Sequence, residues 1–417
     1  MTRAQETEGP QKQAAARERT VSAEGGDLRL FLVAGEHSGD TLGARLMQSL
    51  NQRRRGRIRY LGVGGEGMAA HGLVSQFPLS DVAVMGPGAI LARLPLILKR
   101  ISSTASAAVA AEPSAVVIID SPEFTHPIAK RIRRRRPHIP IIDYVSPSVW
   151  AWRPGRARKM RRYIDHVLAL WPFEPDVHER LGGPACSFVG HPLIERHPWI
   201  AAIDPAPLTG RLGLKPGKPL IVVLPGSRTS EVSRLMQPFG EALGDLARRG
   251  AQFEAAIPVV PWVRPVIEQS VRSWAVVPHL IEGEEDKFRA FKLAKAALAA
   301  SGTVTLELAL VGTPTVVAYK VDRLVGPIIR RLITAPSVVL PNLVLGEQTY
   351  PEFIQQDCTP SNIADALAPL IEDTPERAKQ VAALARIPAA LQVAGSSPSE
   401  VAADIVLAYA EQGRCPA

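Results

Sequence analysis

Apolar residues in this chain fall into short blocks separated by polar loops that carry glycine or proline. The first block, Leu28-Arg-Leu-Phe-Leu-Val33, has the length and composition of a buried parallel strand. A polar loop, Ala34-Gly-Glu-His-Ser-Gly-Asp40, follows it. Leu42, Leu46, Met47 and Leu50 then recur at helical spacing, which predicts a helix over 41–50. The same order returns along the chain, with strands predicted over 57–63, 115–119, 140–145 and 166–170. A proline-rich passage over 198–219 has no clear period and reads as an interdomain linker. The pattern then restarts with strands over 219–224, 253–260, 296–300 and 315–319, and an Ala/Leu-rich helical region begins near residue 360.

Alternating strand and helix predicts an α/β fold of parallel sheets joined by right-handed crossovers. Two doubly wound, Rossmann-like domains are expected, over 28–200 and 215–360, with ligands in an interdomain cleft at the strand C-termini. The length of 417 residues agrees, because single cores usually stop growing before that size. Residues 1–27 are polar and of mixed charge, and read as a disordered arm without a signal peptide. No apolar run approaches the roughly 20 residues of a membrane span. Cys186, Cys358 and Cys415 are far apart and odd in number, which argues against a disulfide frame or a structural zinc site. A cytoplasmic, at most peripheral, protein is expected.

Charge changes this picture in one region. The chain carries a net +9, and residues 128–162 hold twelve Lys/Arg against one acid, Asp143. A polyanionic partner fits such a run, and so does a plain solvated face. Aromatics are only 5% of the chain, too few for binding that stacks single-stranded bases. Two basic-apolar stretches, 89–101 and 323–333, suit either core helices or docking on an anionic bilayer. No histidine pair has metal-ligand spacing, so no metal site is expected.

Several loops carry candidate chemistry. Gly62-Val-Gly64-Gly-Glu-Gly67 matches a dinucleotide fingerprint literally, but Gly72 and Pro78 interrupt the helix such a motif needs. Gly35-Glu-His-Ser-Gly-Asp40 could aim amides and a helix start at an anion, or be an ordinary turn with Asp40 as cap. Leu224-Pro-Gly-Ser-Arg228 places Gly226 and Ser227 amides and the Arg228 fork where a diphosphate could sit, or is a capping turn. In Ser301-Gly-Thr-Val-Thr-Leu-Glu307, Gly302 permits close approach, and Ser301 and Thr303 offer hydroxyls. Glu307, one turn past Thr303, suits two ribose hydroxyls, although a capping box explains the same string. Asp120, at the C-terminal end of a predicted strand, is a candidate general base. Asp143-Tyr-Val-Ser-Pro-Ser-Val-Trp-Ala-Trp152 gathers Ser146, Trp150 and the adjoining Arg153 beside the basic run, a combination suited to an amphiphilic phosphorylated partner.

Taken in order, these segments resemble the lipid-A-disaccharide synthases, glycosyltransferases of the lipopolysaccharide pathway. The resemblance spans about residues 28–358. It rests on Val33-Ala-Gly-Glu-His-Ser-Gly-Asp-Thr-Leu-Gly43, Gly62-Val-Gly-Gly65, Asp81-Val-Ala-Val-Met-Gly86, Ile119-Asp-Ser-Pro-Glu-Phe124 and, most specifically, Tyr144-Val-Ser-Pro-Ser-Val-Trp-Ala-Trp-Arg153. Phe188-Val-Gly-His-Pro192, Leu224-Pro-Gly-Ser-Arg228, Ala300-Ser-Gly-Thr303 with Glu307, and Leu340-Pro-Asn-Leu343 complete it.

The resemblance implies a GT-B architecture, with C-terminal helices (about 365–417) returning to the first domain. It implies condensation of UDP-2,3-diacylglucosamine with 2,3-diacylglucosamine 1-phosphate through a β(1→6) bond, with inversion and release of UDP. No metal or cofactor is implied, nor a nucleic-acid partner. The implied setting is peripheral, on the anionic inner face of the inner membrane, with homodimers in some members. Asp120 is carried over as base, Glu36 and Ser38 as sugar-positioning groups, and Arg228 with Gly226 and Ser227 as the diphosphate site. Ser301, Gly302, Thr303, Glu307 and Asn342 are carried over for UDP, and Ser146, Trp150 and Arg153 for substrate. Asp143 stands where histidine is common, Thr125 where asparagine is common, and His37 replaces a small or hydroxyl residue. The rivals are a UDP-sugar 2-epimerase, an N-acetylglucosaminyltransferase of the same fold, or a nucleic-acid binder using 131–136 and 153–162. The last leaves Arg228 and Glu307 without a role.

Overall fold

The computed structural model describes residues 28–54, 57–83, 87–321 and 335–413. The N-terminal arm and the basic-apolar stretch over 323–333 lie outside them. The strands form two sheets. The first has the order β3-β2-β1-β4-β5-β6-β7, with β1 (Leu28–Ala34) at its centre beside β2 (Ile58–Val63) and β4 (Ala115–Ile119). β3 is Val74–Ser75, β5 Ile141–Tyr144, β6 His166–Ala169 and β7 Ala185–Phe188. β1 pairs in parallel with β2 and with β4, and β4 with β5. Every residue of β4 is buried, as a strand covered on both faces requires.

The second sheet is parallel throughout, in the order β10-β9-β8-β11-β12-β13. Its strands are β8 (Leu220–Leu224), β9 (Glu254–Pro258), β10 (His279–Ile281), β11 (Ala294–Ala299), β12 (Thr315–Tyr319) and β13 (Glu352–Ile354). Alternation along β8 sends Ile221 and Val223 into one core with Leu235 and Phe239. Leu220, Val222 and Leu224 enter the opposite core with Phe288, Phe291 and Leu306. Period-two patterning thus fills both faces of one sheet.

By contact density the chain divides into two compact units. Among the described residues, one comprises those of 28–145, Tyr163–His166 and 402–413; the other comprises Ser146–Arg162 and those of 167–401. The passage read as a linker over 198–219 is not an open connector. It forms helices His197–Ala202 and Ala206–Leu212, and Ile200, Leu208 and the intervening Ile203 sit in the core beside Phe288. Proline at the first helical positions starts these helices rather than breaking them.

The helix expected over 41–50 runs from His37 to Arg54 and is called α1. α2 is Pro87–Ala111, α3 Pro122–Arg135 and α4 Glu174–Arg180. α5 is Thr229–Arg248, α6 Glu284–Leu293, α7 Thr303–Val311 and α8 Pro398–Gln412. α8 is tied to α1 by ion pairs Arg53–Asp404 and Arg54–Glu411. The basic run is partly consumed inside the first unit. Arg133 is buried and paired with Asp165, while Arg136 bonds Glu112 at 3.1 Å.

Candidate active site

β4 ends in a turn with two left-handed residues in succession. Asp120 and Ser121 are consecutive non-glycine residues in the left-handed region, with φ of 55° and 46°. Such conformations cost on the order of 1–3 kcal/mol each and persist only where the surroundings hold them. Here Asp120 N–H donates to the Tyr144 carbonyl (2.9 Å), and the Thr125 hydroxyl donates to the Asp120 carbonyl (2.9 Å). Gly35, at the end of β1, lies so close that a Cβ there would stand 2.6 Å from Ser121 Cβ. The glycine lets the two strand ends touch.

The turn collects the predicted acids and hydroxyls. Ser38 Oγ, in the first turn of α1, donates to Asp120 Oδ2 at 3.1 Å, and Ser121 N–H donates to Oδ1 at 2.8 Å. Ser121 Oγ donates to Glu36 Oε1 at 2.8 Å. Asp120 is half-buried, and Glu36 and Ser38 are exposed. The arrangement holds the Asp120 carboxylate in a fixed orientation at a strand C-terminus, where a base can meet a substrate hydroxyl.

Asp143, which stands where histidine is common, has its own imidazole. Buried His126, one turn into α3, places Nε2 3.1 Å from Asp143 Oδ2 and Nδ1 3.1 Å from Tyr163 Oη. Asp40 is not the cap of α1, which starts three residues earlier. Its buried carboxylate accepts N–H bonds from Gly65 (2.7 Å), Gly67 (2.9 Å) and Met68 (3.0 Å). The amides of the dinucleotide-like string therefore hold a protein carboxylate.

The Ser146–Arg153 segment is organised differently from a ligand-facing loop. Ser146 is buried, and its Oγ lies 2.8 Å from His178 Nε2. Trp150 Nε1 donates to Glu174 Oε1 at 3.2 Å, and Glu174 Oε2 accepts the Leu170 and Trp171 amides. Burial pushes the Glu174 carboxyl up to about 8, against the lowering effect of these bonds, and pushes His178 down to about 4. Arg153 is exposed, with φ 53° and its guanidinium 4.2 Å from the Trp152 ring centroid. Of the three residues expected to touch substrate here, Ser146 and Trp150 are engaged by Glu174 and His178, two residues the sequence does not single out.

A cavity of about 790 Å³ lies in the second unit at the C-terminal ends of β8, β9 and β11. It brings together Gly226, Ser227 and Arg228 with Ser301, Gly302, Thr303 and Glu307, as the motifs predict. The starts of α5 and α7 reach it, and neither has a side-chain cap, so their first amides remain open to an anion. Gly226 has φ 113° and stands against Glu231, where a Cβ would meet Oε2 at 2.6 Å. Trp262 Nε1 donates to the Ser227 carbonyl at 2.8 Å and holds the loop from outside.

The charges in the cavity are already paired. Arg228 bonds Glu231 at 2.9 Å, and the Lys287 ammonium meets both oxygens of Glu307 at 3.0 and 2.8 Å. Glu231 and Lys287 lie distant in sequence from the loops they serve or inside ordinary helical pattern, and no motif marks them. Ser301 Oγ donates to the Val338 carbonyl at 2.6 Å. Asn342 does not line the cavity. It is buried, donating to the Tyr350 carbonyl and accepting its amide at 2.9 and 2.8 Å, which pins the backbone before β13.

Two parallel α/β sheets with the cavity at strand C-termini define the class as GT-B. The Neisseria meningitidis UDP-GlcNAc 2-epimerase bound to UDP-GlcNAc superposes with TM-score 0.58 at 14% identity, over 91% of this chain and 98% of that one. Acinetobacter baumannii MurG gives TM-score 0.55 at 13% identity, over 91% and 99%. At these identities the likeness concerns the fold alone. Residues 30–406 match the lipid-A-disaccharide synthetase family profile. The lipid-A-disaccharide synthase of Rhodopseudomonas palustris (strain BisB18) is 50% identical over 379 residues, 91% of this chain and 95% of that protein. That of Nitrobacter hamburgensis is 49% identical over 389 residues, 93% and 97%. The chain belongs to the lipid-A-disaccharide synthase family.

Proposed function

We propose that this protein is an inverting glycosyltransferase that condenses UDP-2,3-diacylglucosamine with 2,3-diacylglucosamine 1-phosphate. It forms the β(1→6)-linked lipid A disaccharide and releases UDP. The reading is carried by the match to lipid-A-disaccharide synthases over nine-tenths of the chain at about half identity. The chemistry follows from two groups of residues. Asp120, held by Ser38 and the Ser121 amide, takes the proton of the acceptor 6-hydroxyl as that oxygen attacks the anomeric carbon. In the cavity, Arg228 and the open helix starts bind the diphosphate and stabilise the charge that develops on departing UDP.

The substrates are lipids, and α2 offers a means of meeting them. Leu91, Leu94 and Leu98, spaced along one helix face, are 71%, 40% and 50% exposed, with Arg93 and Lys99 exposed beside them. Apolar side chains flanked by cations suit peripheral docking on the anionic inner face of the inner membrane.

The test is product analysis by thin-layer chromatography with both substrates, for the native protein and Asp120→Asn. The variant loses about 10²–10⁴-fold in kcat while UDP binding is kept. No disaccharide from the native protein, or an isomerised UDP-sugar instead, removes the transferase reading. Full activity in the variant removes the base assignment.

A further inference from the structure

The cavity contains a conflict between its resting charges and the ligand assigned to it. Its lining side chains include two cations, Arg228 and Lys287, and four carboxylates, Glu231, Glu282, Glu284 and Glu307. Glu282 and Glu284 are satisfied by Arg264 and Arg196, which do not line it. The two lining cations are themselves committed, Arg228 to Glu231 and Lys287 to both oxygens of Glu307. A diphosphate entering here meets no uncommitted side-chain cation among the described lining residues. A ribose needing Glu307 finds both oxygens occupied by one ammonium.

One movement resolves both demands. We propose that Lys287 is a second diphosphate cation of this cavity, parked on Glu307 until the ribose hydroxyls take that carboxylate. The inference rests on the reading that the cavity receives UDP. The Lys287–Glu307 pair is mostly shielded, with side chains 23% and 15% exposed, so breaking it without a replacement leaves two poorly solvated charges. Ribose hydroxyls replace the ammonium on Glu307, and the diphosphate replaces the carboxylate on Lys287. Lys287 stands on α6, so its flexible four-carbon stem can turn the ammonium without moving backbone. Arg228 is anchored differently, because its partner Glu231 is also held by Tyr319 Oη at 3.2 Å.

The exchange makes sugar and phosphate recognition interdependent. Uridine must break the ion pair and offers the ammonium nothing in return, whereas UDP supplies both new partners. The experiment is calorimetric titration of the full-length protein with uridine, UMP and UDP, for the native chain, Lys287→Met, Lys287→Arg and Glu307→Gln. Lys287→Met weakens UDP about 10–100-fold, the loss of one charge-assisted contact. It leaves uridine unchanged or tighter, because Glu307 is no longer occupied. Lys287→Arg restores most UDP affinity, and Glu307→Gln weakens uridine and UDP by similar factors.

Equal weakening of uridine and UDP by Lys287→Met would mean that the lysine only orders Glu307, and overturns the exchange. Unchanged UDP affinity in that variant overturns it too, with the nucleotide reading intact. Absence of UDP binding by the native protein overturns both.

Discussion

Replacing Asp40 by asparagine isolates one carboxylate whose work is entirely local. The side chain is buried and accepts three amide bonds, Gly65 and Met68 on Oδ1 and Gly67 on Oδ2. An asparagine oxygen in the Oδ1 position can keep the first two. Its NH₂ then faces the Gly67 N–H, donor against donor, and one half-buried amide is left without an acceptor at about 1–3 kcal/mol. The two surviving bonds change from charge-assisted to neutral, a loss of about 1 kcal/mol each, which the easier burial of an uncharged group partly offsets. A net cost near 3 kcal/mol follows. Hydrogen exchange of peptides covering Gly62 to Ala70 measures it directly, because these amides exchange through opening of this loop. Exchange accelerates about 100-fold in Asp40→Asn, and further in Asp40→Ala, which strands all three donors. UDP affinity does not change, since the cavity proposed for the nucleotide contains none of these groups. Protection within about threefold of the native protein would refute the reasoning, by showing that the amides do not depend on the carboxylate.

Two further outcomes are expected. Glu174 holds its proton in the folded state up to about pH 8, whereas the unfolded chain releases it near the ordinary carboxylate value of 4.5. The native state therefore binds the extra proton between pH 4.5 and 8, and its stability falls as pH rises through that window, by up to about 1.4 kcal/mol per unit. Glu174→Gln cannot titrate, so its stability relative to the native protein climbs across the same window and is flat outside it; parallel denaturation profiles for the two proteins count against this. Changing Leu91, Leu94 and Leu98 together to serine removes the exposed apolar face of α2, and co-sedimentation with anionic vesicles drops about 10–100-fold, with secondary structure intact. Undiminished sedimentation rules out this helix as the docking element.

What could be read from sequence follows the physics of each element. Every strand expected from an apolar block is present, with ends shifted by a residue or two. The strands with no counterpart in the reading are Val74–Ser75, Ala185–Phe188, His279–Ile281 and Glu352–Ile354, which are the four sheet edges. An edge strand is paired on one side and partly exposed. It needs no continuous apolar run, and Ala185–Phe188 contains no fully buried residue. The 198–219 passage shows no clear period for a related reason: its helices are only six and seven residues long, and proline begins each of them.

In the site, glycines and acids at strand ends were legible because the local string dictates a turn. Ser38 meets Asp120 directly and Glu36 joins them through Ser121, while Arg228 and the Ser301–Glu307 segment line one cavity. Glu231, Lys287 and Glu174 were invisible because their significance comes from which partner they face. Asn342 and Ser146 were visible through resemblance, and in the fold their polar atoms are spent on Tyr350 and His178.

The seam between α1 and α8 bears on how the chain is made. Asp404 and Glu411 lie more than three hundred and fifty positions after Arg53 and Arg54, yet they belong to the same compact unit. His166 Nδ1 and Tyr409 Oη, 3.2 Å apart, add a second stitch from the same helix. On the ribosome, the first unit to emerge is therefore the last to be finished. The contacts of α8 with α1 and His166 cannot form until the whole of the other unit has been synthesised. Helix α8 acts as a clasp, and a chain cut before Pro398 leaves Arg53, Arg54 and His166 without these partners.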